Sequence, residues 1–94
     1  MDTTAESTIQ VDNDRTRVTH WRLAPGAATG FHRHEFDYVV VPLTTGGLRV
    51  IDKDGNASFG EMVAGASCFR SAGVDHIVLN ANADDFVFVD VEYK

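Results

Sequence analysis

Three of the four histidines fall in two short segments, His32-Arg33-His34 and, after a gap of 41 residues, His76. Side chains alternate along an extended strand, so residues two apart share a face. His32 and His34 therefore point the same way if their segment is extended. A third imidazole brought in by a later strand would complete a three-nitrogen metal site, which leaves coordination positions open for water or substrate. Neutral imidazoles suit iron(II), zinc, nickel and copper. An ion held by three of them keeps its full charge and attracts an anionic, oxygen-bearing ligand. Such an ion acts by Lewis-acid polarisation, or by activating water or dioxygen. His32, His34 and His76 are accordingly the candidate metal ligands. His20, beside Trp21 and outside this spacing, reads as structural or exposed.

Short strands are the elements that would hold such a set. Turn signals recur roughly every 8–12 residues, the rhythm of an all-β sandwich or barrel. A first strand over 16–24 ends at Pro25-Gly26, and Gly30 and Phe31 open the histidine strand. The run Tyr38-Val39-Val40-Val41 marks a buried strand over 37–44, with Pro42 signalling an edge or an irregularity. Gly46-Gly47 turns into a strand over 48–53, and Asp54-Gly55, the strongest hairpin signal, leads into 57–63. Gly65 and Gly73 bracket 67–70, and the last strands are 76–81 and 86–93. In the final strand Phe86, Phe88, Asp90 and Glu92 form a mixed face opposite the apolar face of Val87, Val89, Val91 and Tyr93. No window carries a helical repeat. Eight short strands predict an all-β jelly-roll barrel. Residues 1–14 are polar and acidic apart from Ile9 and Val11, and read as a mobile N-terminal tail with the means to add a short strand to its own or a neighbouring sheet; the domain proper covers 15–94.

Ninety-four residues make one domain. The formal net charge is −6 and the eight cationic residues are scattered. Without a basic stripe, nucleic acid and anionic membrane are not expected partners. The single cysteine, Cys68, excludes an internal disulfide and fits a reducing compartment. No apolar run approaches the roughly 18 residues of a membrane span, and no signal-peptide pattern opens the chain, so the cytoplasm is the expected location.

Both histidine segments resemble the two signature motifs of the cupin superfamily. In the first, Gly26, five residues, then His32-Arg33-His34 match without a gap; in the second, Gly65, Gly73, His76 and Asn80 match in spacing, with Ser71 where the family has proline. The resemblance covers about residues 16–94 and implies the cupin-type double-stranded β-helix. The motif glutamate, usually a fourth metal ligand in the family, is missing. With three intervening residues its slot falls on Tyr38; with four it falls on Val39, a count that also puts Gly46 at the motif's closing glycine. Tyr38 keeps the parity of His32 and His34, whereas Glu35 and Asp37 have the opposite parity unless a bulge reverses it. The resemblance thus implies a three-histidine variant with Tyr38 beside the ligands. It implies a divalent transition metal: iron(II) leads, with zinc, manganese and nickel as alternatives. The run from His32 to Pro42 also resembles small one-domain cupins of amino-acid and β-alanine degradation.

The leading functional expectation is a metal-binding enzyme acting on a small carboxylate- or carbonyl-bearing metabolite. Dioxygenase chemistry comes first by analogy, with isomerase and lyase chemistry open. The alternative is a non-catalytic module that binds or senses a small molecule. Tyr38 is the candidate catalytic residue, with a plain core aromatic beside Phe36, Phe69, Phe86 and Phe88 as its other reading. Cys68 reads as a small core hydrophobe. Arg22 or Arg70 could meet a substrate carboxylate, Arg33 should point away, and Asn80 should secure backbone near His76. A short chain with several apolar sheet faces gains from association, so a homodimer is expected, with the Ile9 and Val11 segment crossing to the partner.

Overall fold

The computed structural model describes residues 5–30, 32–73 and 75–94, and His32 by its backbone. Every element among them is a strand: β1 Glu6–Asp12, β2 Thr16–Leu23, β3 His32–Arg33, β4 Asp37–Pro42, β5 Gly46–Asp52, β6 Ala57–Met62, β7 Cys68–Arg70, β8 Asp75–Asn80 and β9 Phe86–Tyr93. They form two antiparallel sheets, one in the order β1-β2-β9-β4-β7 and the other β3-β8-β5-β6. This is the all-β double-stranded β-helix expected. Among the described residues no helix is long and apolar enough to cross a membrane.

Alternation decides which side chains face inward. Thr19, Trp21 and Leu23 of β2 point between the sheets, as do Tyr38, Val40 and Pro42 of β4 and Phe86, Phe88 and Asp90 of β9. The opposing sheet contributes Leu48 and Val50 of β5 and His76, Val78 and Asn80 of β8. Leu23, Ala27, Leu48, Val78, Phe86 and Phe88 pack into the apolar core.

Asn80 ties the core end together at 1% exposure. Its Nδ2 donates to the Leu23 carbonyl at 2.9 Å and the Asp84 carbonyl at 2.8 Å, while its Oδ1 accepts from the Asn82 N–H at 2.9 Å. Its backbone N–H donates to the Ala27 carbonyl at 3.0 Å, and its carbonyl accepts from the Gly26 N–H at 3.1 Å. Gly26 sits at φ 79°, which suits a residue without Cβ.

Residues 6–12 form β1, the short strand that the N-terminal segment had the means to add to its own sheet, paired in register with β2 from Glu6↔Arg22 to Asp12↔Arg17 with one irregularity between Ile9 and Val11. The pairing supplies the backbone partners that an open β2 edge lacks. Gly46 and Gly47 do not turn but begin β5. A Cβ on Gly46 would meet the Asn82 amide at 2.7 Å, and one on Gly47 would run into the Phe59 ring. Asn82 also bonds both Gly47 backbone groups at 2.8 Å, so the glycines make room for a side chain that clips the strand. Phe69 is no core residue; at 56% exposure it lies on the outer face of the edge strand β7.

Asn80→Ala should lower the unfolding free energy by about 2–4 kcal/mol, because it strips the buried Leu23 carbonyl and the part-buried Asp84 carbonyl of their side-chain donor. The measurement is urea denaturation, read as a lower midpoint at unchanged m value.

Candidate functional site

The histidine segment leaves the sheet early. β3 pairs with β8 through His32↔His76 and Arg33↔Asp75 and then ends. His34 follows in the connection to β4, where its carbonyl accepts from the Gly73 N–H at 2.8 Å. This bond joins the two histidine segments and fixes the His34 backbone. The His34 side chain is buried, and its Nε2 lies 3.2 Å from the Nε2 of His76. Two nitrogens each roughly 2.1 Å from one ion, at an angle near 100°, would stand about 3.2 Å apart, so the pair has the spacing of two ligands on one metal. Among the described residues no third His, Cys, Asp or Glu joins them as a metal cluster. The His32 side chain, the third expected ligand, lies outside the described residues.

His34 and His76 line a cavity of about 290 Å³ between the sheets. Tyr38 is in the same cavity at 2% exposure, its ring stacked on His34 with centroids 3.8 Å apart and planes 15° from parallel. The stack holds the His34 imidazole at a fixed tilt. Burial, followed by the nearby Asp90 charge, pushes the Tyr38 phenol up to about 12, so at neutral pH it is an uncharged donor. The rival carboxylates are elsewhere. Asp37 is exposed and its Oδ1 accepts from the Ala72 N–H at 2.8 Å, capping a turn, while Glu35 is exposed on a neighbouring depression that shares Trp21, His34 and Asp90 with the cavity.

Of the two candidate carboxylate-binding arginines, the structure puts only Arg70 on the cavity wall, opposite Tyr38 in the β4–β7 register. Arg22 is exposed and pairs with Asp85 at 3.0 Å. Arg33 is also exposed, 3.8 Å from Asp75. Cys68 is free, half-buried and on the cavity wall.

Asp90 is the cavity residue that motif reading missed. The mixed face of β9 is the inward one, so Asp90 follows Phe86 and Phe88 into the interior at 4% exposure. The signal was present in its parity with two phenylalanines, but the opposite face of Val87, Val89, Val91 and Tyr93 is the more uniformly apolar one. Burial, with the Glu92 charge beside it, pushes the Asp90 carboxyl up to about 7, against a smaller opposing effect of a hydrogen bond from Trp21.

A carboxyl whose folded value lies above its unfolded value of 3.8 holds its proton more tightly in the native state. Its contribution therefore makes stability fall as pH rises from about 4 to about 7, by up to about 4 kcal/mol, and level off above. Asp90→Asn should flatten that decline and raise the melting temperature at pH 8 more than at pH 4. Thermal unfolding of the metal-free protein across this range is the measurement.

No protein-family profile matches the chain. It is 53% identical over 90 residues to the beta-alanine degradation protein BauB of Pseudomonas aeruginosa, covering 96% of this chain and 94% of that one. A crystal structure of a cupin domain from Bordetella pertussis Tohama I superposes with a TM-score of 0.94 at 45% identity, over 100% of this chain and 97% of the other. An RmlC-like cupin from Methanocaldococcus jannaschii shares the fold at a TM-score of 0.78 and 16% identity, over 98% and 82% of the two chains. With its two sheets, its paired histidine segments and relatives at this level of identity, the chain belongs to the cupin family, in the group that includes BauB.

Proposed function

We propose that the protein is a metal-dependent enzyme acting on a small carboxylate- or carbonyl-bearing metabolite in the cytoplasm, with dioxygenase-type chemistry first. The observation that carries this reading is the His34–His76 nitrogen pair, 3.2 Å apart on the wall of an internal cavity. His32, His34 and His76 would hold a divalent ion, iron(II) first and zinc, manganese or nickel next. Such an ion would supply Lewis-acid polarisation or activation of dioxygen or water. Tyr38 is an uncharged donor for a ligand oxygen and keeps His34 oriented by stacking. The name of the Pseudomonas relative, a β-alanine degradation protein, supports a small-acid metabolite.

The alternative, a module that only binds or senses a small molecule, calls for a closed apolar pocket. Tyr38, Arg70 and Asp90 on the cavity wall favour the enzyme.

The protein also acts as a homodimer in this reading. One register row runs across the outer face of the five-stranded sheet, through Val11↔Val18, Val18↔Val91, Val91↔Val39 and Val39↔Phe69. Five apolar residues in line on the face away from the cavity suit burial against the same row of a second copy.

Metal content by elemental analysis should fall sharply in His34→Ala and His76→Ala, while their unfolding as apo proteins changes by less than about 2 kcal/mol. Tyr38→Phe should keep the metal and lose oxygen uptake in an oxygen-electrode screen of small acids and diketones. Failure of the wild-type protein to bind any of the four metals would sink this reading. Light scattering at tens of micromolar should give a dimer, and Val91→Lys a monomer with an unchanged fold by circular dichroism.

A further inference from the structure

The interior carboxylate of Asp90 has no role in the fold that offsets its burial. It faces the cavity from β9, flanked in register by Thr19 of β2 and Val40 of β4. None of the ion pairs among the described residues reaches it. The Trp21 side chain donates to the carboxylate, yet its buried Oδ1 accepts no hydrogen bond from any described residue. An acceptor with an open lone pair, shut away from water, loses solvation that nothing in the protein restores. A ligand carrying a donor restores it. Arg70, on the same cavity wall but exposed, offers the opposite chemistry to the same ligand.

We infer that Asp90 and Arg70 together select a small bifunctional acid, Arg70 meeting its carboxylate and Asp90 Oδ1 accepting a hydrogen bond from a hydroxyl or ammonium group at its other end. Simple acids that end in a methyl group leave Asp90 unsatisfied and are rejected. This deepens the small-acid reading above and shares its cavity, but it needs no ion, so the two can fail separately.

Trp21 is the sole tryptophan of the chain and lies against Asp90, so its fluorescence reports on the cavity. The probes are butyrate, 4-hydroxybutyrate and 4-aminobutyrate, titrated into the metal-free and the zinc-loaded protein. At least one of the two donor-bearing acids should bind about tenfold or more tighter than butyrate in both forms. A preference for the hydroxyl identifies a hydroxy acid as the natural class, and one for the ammonium an amino acid. Asp90→Leu should abolish the preference without weakening butyrate. Asp90→Asn, nearly isosteric and the safeguard should the leucine variant not fold, should keep a hydroxyl preference and lose an ammonium one. Arg70→Gln should weaken all three acids. Equal binding of the three acids, a preference that survives Asp90→Leu, or no binding of either donor-bearing acid up to about 10 mM overturns the inference. Loss of zinc binding with the preference intact in the metal-free protein would instead count against the metal reading alone.

Discussion

Asn80 is the fastening on which the barrel depends. One side chain and one peptide unit bond to the end of β2, to the loop that follows it and to the loop before β9. With all of those partners satisfied at once, β8 cannot slip by a residue, since a slip would turn Asn80 outward and leave buried carbonyls without donors. The same alternation then puts Val78 in the core and His76 on the cavity wall, four residues and roughly 13 Å from the fastening. His76 is thus placed by a bond made at the far end of its strand.

The interior divides along the strands. Toward Asn80 it is apolar and closed, with Leu23, Leu48, Phe86 and Phe88 packed together. Toward His34 and His76 it opens into a cavity that mixes imidazoles, a phenol and a carboxylate with apolar walls. Polar groups in such a place weaken the fold, and the core at the other end carries the stability they remove. The two imidazoles are held differently. His76 belongs to a paired strand, whereas His34 lies outside any strand, its backbone bonded to Gly73 and its ring stacked on Tyr38.

The long strands were legible in the sequence because their alternation is strong: 16–24 and 86–93 as read correspond to β2 and β9 within a residue. The barrel and its family were legible because two spaced motifs coincide with an all-β rhythm. What escaped was set by partners distant in sequence. Gly46-Gly47 looks like a turn until Asn82 and Phe59 are seen in the space their side chains would fill. Phe69 looks like core, but edge position and parity turn it outward. Asp90 was read only as one member of a mixed face, opposite the apolar face of Val87, Val89, Val91 and Tyr93, with no role of its own. The closed barrel buries the face that carries the phenylalanines and leaves the valines on the outside of the sheet. In the histidine segment, parity put Tyr38 beside His34, where the structure has it, although the extended strand assumed in that reasoning stops at Arg33.

β1 has one further consequence. All seven of its residues are exposed, so it is held to β2 chiefly by main-chain bonds and contributes almost no buried apolar area. Such a strand is a separate cooperative unit of low local stability, and its amides exchange with solvent hydrogen far faster than those of β9, which is flanked on both sides. While it is docked, the edge of β2 is closed to foreign strands; when it opens, that edge becomes a template for pairing. β1 therefore acts as a reversible guard on colloidal behaviour, and a chain lacking it would keep its barrel yet be more prone to self-associate through β2.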